Sequence, residues 1–250
     1  MKESLVSLAL FAAVAAITGC QQEQATVIPE GMSTAQGKAL SGVKPAAMTP
    51  AVYASLTSSA KQGVIADELR TIGKAIKAYR AKHNGKWPGS LTALVTEGLL
   101  PAKALVSASD PTGGKEGGVP KSYDQWQKSE EADEPDCSFL YELCSATAKW
   151  DWKSYLAGSP SVATVDLDKD GEVSWQEAKL WHLARGDTTQ ASPGAYPLNR
   201  FPVVRCYWYG YPGSKDDTKQ RSVISLAADL ETVFLSQPWW EKDDAPVTLP

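Results

Sequence analysis

The chain has 250 residues, of which 43% are hydrophobic and 22% are charged, so it can bury the core of at least one domain. Its formal net charge of -4 supplies no basic field, which argues against nucleic acid and anionic lipid headgroups as partners. The sequence contains no apolar run of the roughly 20 residues that a membrane-spanning helix needs.

The first elements in chain order are an apolar stretch over residues 5–17 and the tripeptide Thr18-Gly19-Cys20. An apolar stretch of this length is typical of a signal peptide. Small residues directly before a cysteine resemble the lipobox of bacterial lipoproteins. The resemblance implies a signal peptide over residues 1–19, a lipid on Cys20, and sorting to the outer membrane because Gln21 stands in place of an aspartate. The alternative is an ordinary secretory leader followed by a coincidental cysteine.

Residues 20–55 are predicted to form a flexible tether. The segment is rich in Gln, Ala, Thr, Ser, Gly and Pro and lacks an apolar period, so it buries too little surface to order itself. About 30 such residues have an r.m.s. span of roughly 30 Å, enough to hold a domain clear of the lipid surface.

A long amphipathic helix is predicted next, because apolar residues recur at spacings of three and four among charged ones: Ile65, Leu69, Ile72, Ile76 and Tyr79. Asn84-Gly85 is expected to end this helix. Ser90 is expected to cap a short second helix that carries Leu91 and Leu94 and closes at Gly98.

The segment over residues 107–136 is predicted to be a long loop, because it is rich in Ser, Gly, Pro, Asp and Lys; Tyr123 and Trp126 are its expected anchors. Its acidic end favours a solvated loop over a binding tail. Strand-like runs follow at residues 201–209 and 222–226. The Gly- and Pro-rich break between them indicates a hairpin with a long loop.

A family resemblance lies in the predicted helices. The run Glu68-Leu69-Arg70-Thr71-Ile72-Gly73-Lys74-Ala75-Ile76-Lys77-Ala78-Tyr79, followed by Gly85-Lys86-Trp87-Pro88, resembles the soluble part of type II secretion pseudopilins. The resemblance is best over residues 65–111. It implies an α+β fold for residues 56–250, in which a long N-terminal amphipathic helix packs on a small antiparallel sheet. The sequence shows neither the prepilin leader nor the apolar filament helix of that family, so the resemblance implies a fold and not a filament subunit.

Residues 166–177 match the twelve-residue calcium loop of EF-hand proteins at each diagnostic position. Calcium binds six to eight oxygens at about 2.4 Å, and the pattern supplies donors from alternate positions as the chain wraps around the ion. Gly171 allows the sharp turn. The expected ligands are the carboxylates of Asp166, Asp168, Asp170 and Glu177, the carbonyl of Glu172, and Ser174 directly or through water. The alternative is a polar surface turn whose carboxylates are solvated.

The flanks of this loop carry further expectations. Val173 is expected to face inward and to hydrogen-bond a neighbouring strand. Ser174 and Glu177 form a capping-box pattern, so the loop, inserted in the domain, leads into an exit helix that ends at Gly186. Residues 158–165 are predicted to break a helix and then form a strand. A lone loop of this kind resembles extracellular calcium modules, which bind at about 10⁻⁴–10⁻³ M, and favours a structural ion over a switch.

The other reactive residue types give no catalytic pattern. His83 is expected at a helix end and His182 as a surface or packing residue, since neither has a Cys or Glu at zinc-ligand spacing. One disulfide can form among Cys137, Cys144 and Cys206 in an exported protein, and the sequence leaves the pairing open. No nucleophile elbow, phosphate loop or dinucleotide motif is present, so no enzymatic activity is expected.

Aromatic residues are dense at residues 207–211 and at Trp239-Trp240. The rings of Tyr207, Tyr209 and Tyr211 would share one face of a regular strand, which suits a platform for carbohydrate or peptide, although core packing is favoured. The sequence therefore predicts a calcium-binding, membrane-anchored envelope lipoprotein with a structural or interaction role, and with an envelope protein or a glycan as its further partner. The alternative function is a carbohydrate- or peptide-binding module that uses these aromatic clusters.

Overall fold

The computed structural model describes residues 48–121, 134–211 and 220–250. The predicted signal peptide, Cys20 and the predicted tether up to residue 47 lie outside the described residues, as do Tyr123 and Trp126. Among the described residues, no helix combines the length and the apolar character needed to cross a membrane.

Six α-helices and one five-stranded sheet lie in the described ranges, and the predicted α+β class is confirmed. The helices are α1 (Pro50–Ala54), α2 (Ser58–Lys82), α3 (Leu91–Thr96), α4 (Trp152–Tyr155), α5 (Val162–Val165) and α6 (Trp175–Arg185). The strands are β1 (Leu140–Tyr141), β2 (Pro202–Cys206), β3 (Val223–Ala227), β4 (Val233–Ser236) and β5 (Val247–Thr248).

The sheet is antiparallel throughout, and strands that are neighbours in sequence are neighbours in space. Arg205 of β2 lies opposite Ser225 of β3, and Ile224 of β3 lies opposite Leu235 of β4. The antiparallel pairing of β2 with β3 confirms the predicted hairpin. Every residue of β2, β3 and β4 is buried, so both faces of the central strands are covered by other elements.

The long helix α2 packs its apolar stripe into the main core. Ile65, Leu69, Ile72 and Ile76 are fully buried, and each such side chain stabilises the fold by about 1.5–3 kcal/mol. Gly73 lets the helix approach the turn between β3 and β4 closely, because a Cβ there would lie 3.0 Å from the carbonyl oxygen of Leu230 and would need that backbone to shift.

The C-terminal boundary of the predicted tether is wrong, because α1 already begins at Pro50. Thr49 caps this helix by accepting a hydrogen bond from the amide of Val52, and proline suits the first helical turn. Tyr53 is 7% exposed and belongs to the main core. One turn of helix with one buried ring is too short to produce a recognisable apolar period.

The prediction that the acidic end of residues 107–136 is solvated is wrong at one residue, because Glu134 is buried. Its carboxylate accepts hydrogen bonds from the amides of Leu91 at 2.6 Å and Thr92 at 2.8 Å. These amides belong to the first turn of α3, where backbone N–H groups lack partners within the helix and a negative charge is favourable. Glu134 therefore caps α3 together with Ser90, whose hydroxyl accepts a hydrogen bond from the amide of Ala93 at 3.0 Å.

The strand predicted within residues 158–165 is instead the single helical turn α5. Its last residue, Val165, is buried in a second, smaller core with Trp152, Leu156, Val173 and Ala178. The turn directs the chain into the loop of residues 166–177. A short run rich in β-branched residues fits one turn of helix as well as a short strand, so its pattern does not distinguish the two.

The three described cysteines, Cys137, Cys144 and Cys206, are buried and form no disulfide with one another. Burial raises the pKa of Cys144 to about 11 and that of Cys206 to about 12. Both thiols therefore stay protonated at neutral pH, which suits packing better than nucleophilic attack.

Candidate metal centre

The loop of residues 166–177 begins where α5 ends and is curled by its own side chains. Asp166 accepts hydrogen bonds from the amide of Lys169 at 2.6 Å and from the amide of Gly171 at 2.9 Å. Lys169 and Gly171 have positive φ values of 64° and 93°, so the chain turns sharply at both places. Glycine adopts this conformation without a steric penalty, which explains Gly171 at the sixth position.

The next two aspartates continue the curl. Asp168 accepts a hydrogen bond from the amide of Asp170 at 3.2 Å, and Asp170 accepts one from the amide of Glu172 at 2.8 Å. These bonds lie between residues two apart, as in Asx turns, and they hold successive carboxylates close to the backbone. The side chain of Glu172 accepts a hydrogen bond from the hydroxyl of Thr147 at 2.7 Å.

Glu177 closes the loop from the first turn of α6, and its carboxylate contacts both ends. One oxygen accepts a hydrogen bond from the amide of Leu167 at 2.6 Å, and the other accepts bonds from the amide and hydroxyl of Ser174, each at 2.9 Å. Ser174 in turn accepts a bond from the amide of Glu177 at 3.2 Å, so the predicted capping box is confirmed. The helix ends at Gly186, as expected.

Three of the predicted ligands converge. Asp166, Asp168 and Glu177 each offer a carboxylate oxygen, and these oxygens lie within 4.8 Å of one another. Oxygens this close together can contact one ion, so the three carboxylates could hold a metal cation. Asp170 is exposed and lies outside this group of three.

The crowding of carboxylates affects the titration of Asp168. The amide of Asp170 donates a hydrogen bond that lowers the pKa, but desolvation and the charges of Asp170 and Glu177 outweigh it, and the pKa of Asp168 is raised. Like charges disfavour ionisation of a neighbour, and a bound cation relieves that repulsion.

The loop is also held from outside by an extended segment. Ala148 donates its amide to the carbonyl of Val173 at 2.8 Å, and Thr147 forms a β-bridge with Ser174. Val173 is 4% exposed and packs in the smaller core. The expectation that Val173 faces inward is confirmed, but its backbone bonds an isolated β-bridge segment and not the predicted strand.

Three buried charged side chains tie α6 to the sheet. Lys179 Nζ lies 3.0 Å from one carboxylate oxygen of Glu142, and Arg205 donates to the other at 3.1 Å. Arg205 also donates to the carbonyl of Pro238 at 2.6 Å. Burial alone would raise the pKa of Glu142, but the charges of Lys179 and Arg205 hold it below its ordinary value. This charged link fixes the helix that begins beside the loop.

The sequence alone does not predict this charged link between α6 and the sheet, although one residue indicates a buried charge. Arg205 stands in an apolar strand run, and a charge inside a covered sheet must find a partner. Nothing in the sequence identified Glu142 and Lys179 as those partners, because they lie on separate elements.

His182 lies further along α6 and is fully buried. Its Nε2 lies 2.5 Å from a carboxylate oxygen of Asp187, while Nδ1 has no hydrogen-bond partner among the described residues. Four aromatic rings surround the imidazole, with centroids 5.2–5.6 Å away: Tyr155, Tyr196, Phe201 and Trp240. Burial lowers the pKa of His182, and the hydrogen bond to Asp187 opposes that shift without cancelling it. A proton on Nδ1 would add a buried donor without an acceptor, so the ring is neutral with its proton on Nε2.

The neutral His182 predicts that mild acid destabilises the fold. An unfolded histidine binds a proton below about pH 6.5, whereas the buried ring resists protonation, so stability is greatest above that pH and falls as the pH decreases. Urea unfolding at about pH 7.5 and about pH 5.5 should show this loss in the wild type. His182→Gln, whose amide can still donate to Asp187, should lose less stability between the two pH values. Equal losses in the two proteins would contradict a neutral buried ring.

The alternative of an aromatic platform at Tyr207, Tyr209 and Tyr211 is wrong, because β2 ends at Cys206. A 3₁₀ turn over Trp208–Gly210 follows, so the rings do not alternate along a strand. Tyr207 is fully buried, Tyr211 is exposed, and the indole of Trp208 donates to the carbonyl of Gly117 at 3.0 Å. Core packing is therefore confirmed for Tyr207 and Trp208.

No family model, no curated protein and no solved structure matches this chain.

Proposed function

We propose that the protein is a calcium-binding lipoprotein of the bacterial outer membrane, in which the ion stabilises the loop of residues 166–177. The convergence of Asp166, Asp168 and Glu177 oxygens within 4.8 Å carries the metal-binding part of this proposal, and the sequence Thr18-Gly19-Cys20 carries the lipid anchor. The three converging side chains stand at the first, third and twelfth positions of the loop, which are ligand positions of the EF-hand pattern. When bound, calcium supplies a charge that offsets their mutual repulsion.

The fuller ligand set follows the sequence pattern. Asp170, the carbonyl of Glu172 and Ser174 join the three converging carboxylates, and Glu177 binds through both oxygens. Six or more oxygens with a bidentate glutamate favour calcium over magnesium, which requires near-ideal octahedral geometry and retains several waters.

A structural role is favoured over a conformational switch. The loop bonds to the extended segment at Thr147 and Ala148, and the exit helix is tied to the sheet through Lys179. A calcium switch needs two arrangements of its helices, and these contacts hold one. A pseudopilin-like fold is also part of this proposal, because a long helix, a turn, a short helix and an antiparallel sheet occur in that order.

Terbium binding tests the metal site. Trivalent terbium occupies calcium sites and emits when a nearby indole absorbs, and Trp175 directly follows Ser174 in the loop. The wild type should show indole-sensitised emission that calcium displaces. Glu177→Gln should show little emission, because the substitution removes bidentate closure. Equal emission from the two proteins would contradict binding at this loop.

Acylation of Cys20 is a separate prediction. The wild-type chain, expressed in a Gram-negative host with labelled palmitate, should incorporate the label and fractionate with the outer membrane. Cys20→Ala should lose the label and the membrane-bound mature form, because its side chain cannot form the thioether. A wild-type chain that is exported without label would contradict the lipoprotein proposal.

A further inference from the structure

A cleft of about 670 Å³ lies between the loop of residues 166–177 and the turn that follows α2. Residues 84–87 form one wall and the loop forms the other. Ser145 and Thr147 also line the cleft, and Gln176 belongs to the loop wall. The cleft is therefore bordered on one side by the proposed metal site and on the other by a tryptophan-bearing turn.

One segment fixes both walls. Ser145 donates its amide to the carbonyl of Gly89 at 2.8 Å, which holds the turn, and Ala148 donates to the carbonyl of Val173 at 2.8 Å, which holds the loop. A cleft whose walls share one hydrogen-bonded support is formed before a ligand arrives, so binding loses little conformational entropy.

Trp87 supplies the aromatic surface of the cleft. The guanidinium of Arg80 lies over its ring, 4.0 Å from the centroid, and Arg80 is not among the cleft residues. The cation therefore positions the ring, which is half-buried and borders the cleft. An aromatic surface beside hydroxyl and amide groups suits a sugar, which presents apolar C–H faces and polar edges.

The charges of the cleft select among ligands. The cleft is lined by the single cation of Lys86 and by four carboxylates, which belong to Asp168, Asp170, Glu172 and Glu177. Their formal charges sum to -3 (-4 + 1), which repels an acidic ligand. Calcium in the loop would reduce this sum to -1 (-3 + 2). That small charge, together with Lys86 in the opposite wall, leaves little attraction for a basic peptide and favours a neutral ligand.

We propose that this cleft binds a neutral saccharide, which packs on Trp87 and hydrogen-bonds to Asn84, Ser145 and the loop. The inference rests on the proposed calcium function, because the ion neutralises the loop wall that the saccharide contacts. Saccharide binding is therefore stronger in calcium than in chelator.

The labelled full-length protein, solubilised in detergent, is applied to an array of neutral and acidic glycans in calcium and in chelator. The strongest neutral hit is then titrated against the wild type and three variants. Trp87→Ala should weaken binding about tenfold, the equivalent of one lost aromatic contact. Asn84→Gly, which keeps the positive φ of 53° accessible, should also weaken it. Trp239→Ala is the matched control, because Trp239 is exposed and lies outside the cleft.

Several outcomes would overturn the inference: an array without a neutral hit, preference for acidic glycans or a basic peptide, or equal affinities for the wild type and a folded Trp87→Ala protein. Asn84→Gly decides the question if Trp87→Ala unfolds. Terbium emission, measured on the same protein preparations without added calcium or chelator, separates the two proposals. Normal terbium emission without glycan binding would contradict the saccharide inference and leave the calcium proposal intact. Equal glycan binding in calcium and in chelator would contradict the dependence of saccharide binding on calcium.

Discussion

Replacing Glu142 with glutamine is expected to lower the free energy of unfolding by about 3–5 kcal/mol, the loss typical of a buried ion pair deprived of one partner. The carboxylate of Glu142 is shared by Lys179 and Arg205, and all three residues are buried. The neutral amide would leave two buried cations facing each other without a counterion. Because Lys179 belongs to α6, the loss should also loosen the helix that follows the metal loop.

The measurement is urea unfolding at neutral pH, with Glu231→Gln as the matched control. Glu231 also pairs with a lysine, Lys77, at 2.5 Å, but its side chain is 75% exposed. A solvent-exposed pair contributes at most about 1 kcal/mol, so the control should unfold near the wild-type midpoint. Similar midpoints for Glu142→Gln and Glu231→Gln would contradict a structural role for the buried triad.

Calcium is expected to raise the melting temperature by roughly 5–10 °C when its concentration is about 100 times the dissociation constant. At that ratio, a ligand that binds only the folded state stabilises it by about 2.7 kcal/mol, and a chain of this size shifts by about 2–4 °C for each kcal/mol. Glu177→Gln should lose most of this gain, because the amide cannot close the site with two carboxylate oxygens. Its helix cap is retained in part, since the amide oxygen still accepts a hydrogen bond.

Lys169→Ala is the control for this prediction. Lys169 is exposed, its side chain is not an expected ligand, and its positive φ of 64° is equally strained for alanine. The variant should keep the full calcium shift. Identical melting temperatures for the wild type in calcium and in chelator would contradict structural calcium, and equal shifts in calcium and magnesium would contradict selectivity.

Local patterns made part of the fold predictable. The apolar period from Ile65 to Tyr79 marks a helix, and Ser90 marks the start of the next one; both correspond to observed helices, α2 and α3. The capping box of Ser174 and Glu177 was likewise visible, because its partners lie three residues apart. Each of these features depends on neighbours within a few turns of the chain.

Long-range pairing made the rest unpredictable. Glu134 caps a helix that begins 43 residues earlier, and Arg205 meets a carboxylate 63 residues away. A single sequence contains no information on which distant polar groups share a buried site, so neither the burial of Glu134 nor the partners of Arg205 could be predicted. The ligand pattern had the same limit: the sequence identified six positions, but only folding determines that Asp166, Asp168 and Glu177 converge.

Calorimetric titration of calcium into chelator-treated protein tests the central claim most directly. We expect a single saturable site per chain, with a dissociation constant of about 10⁻⁴–10⁻³ M, and its loss in Glu177→Gln. The absence of saturable heat up to about 10 mM calcium, or the same isotherm for wild type and Glu177→Gln, would contradict a calcium site in the loop of residues 166–177.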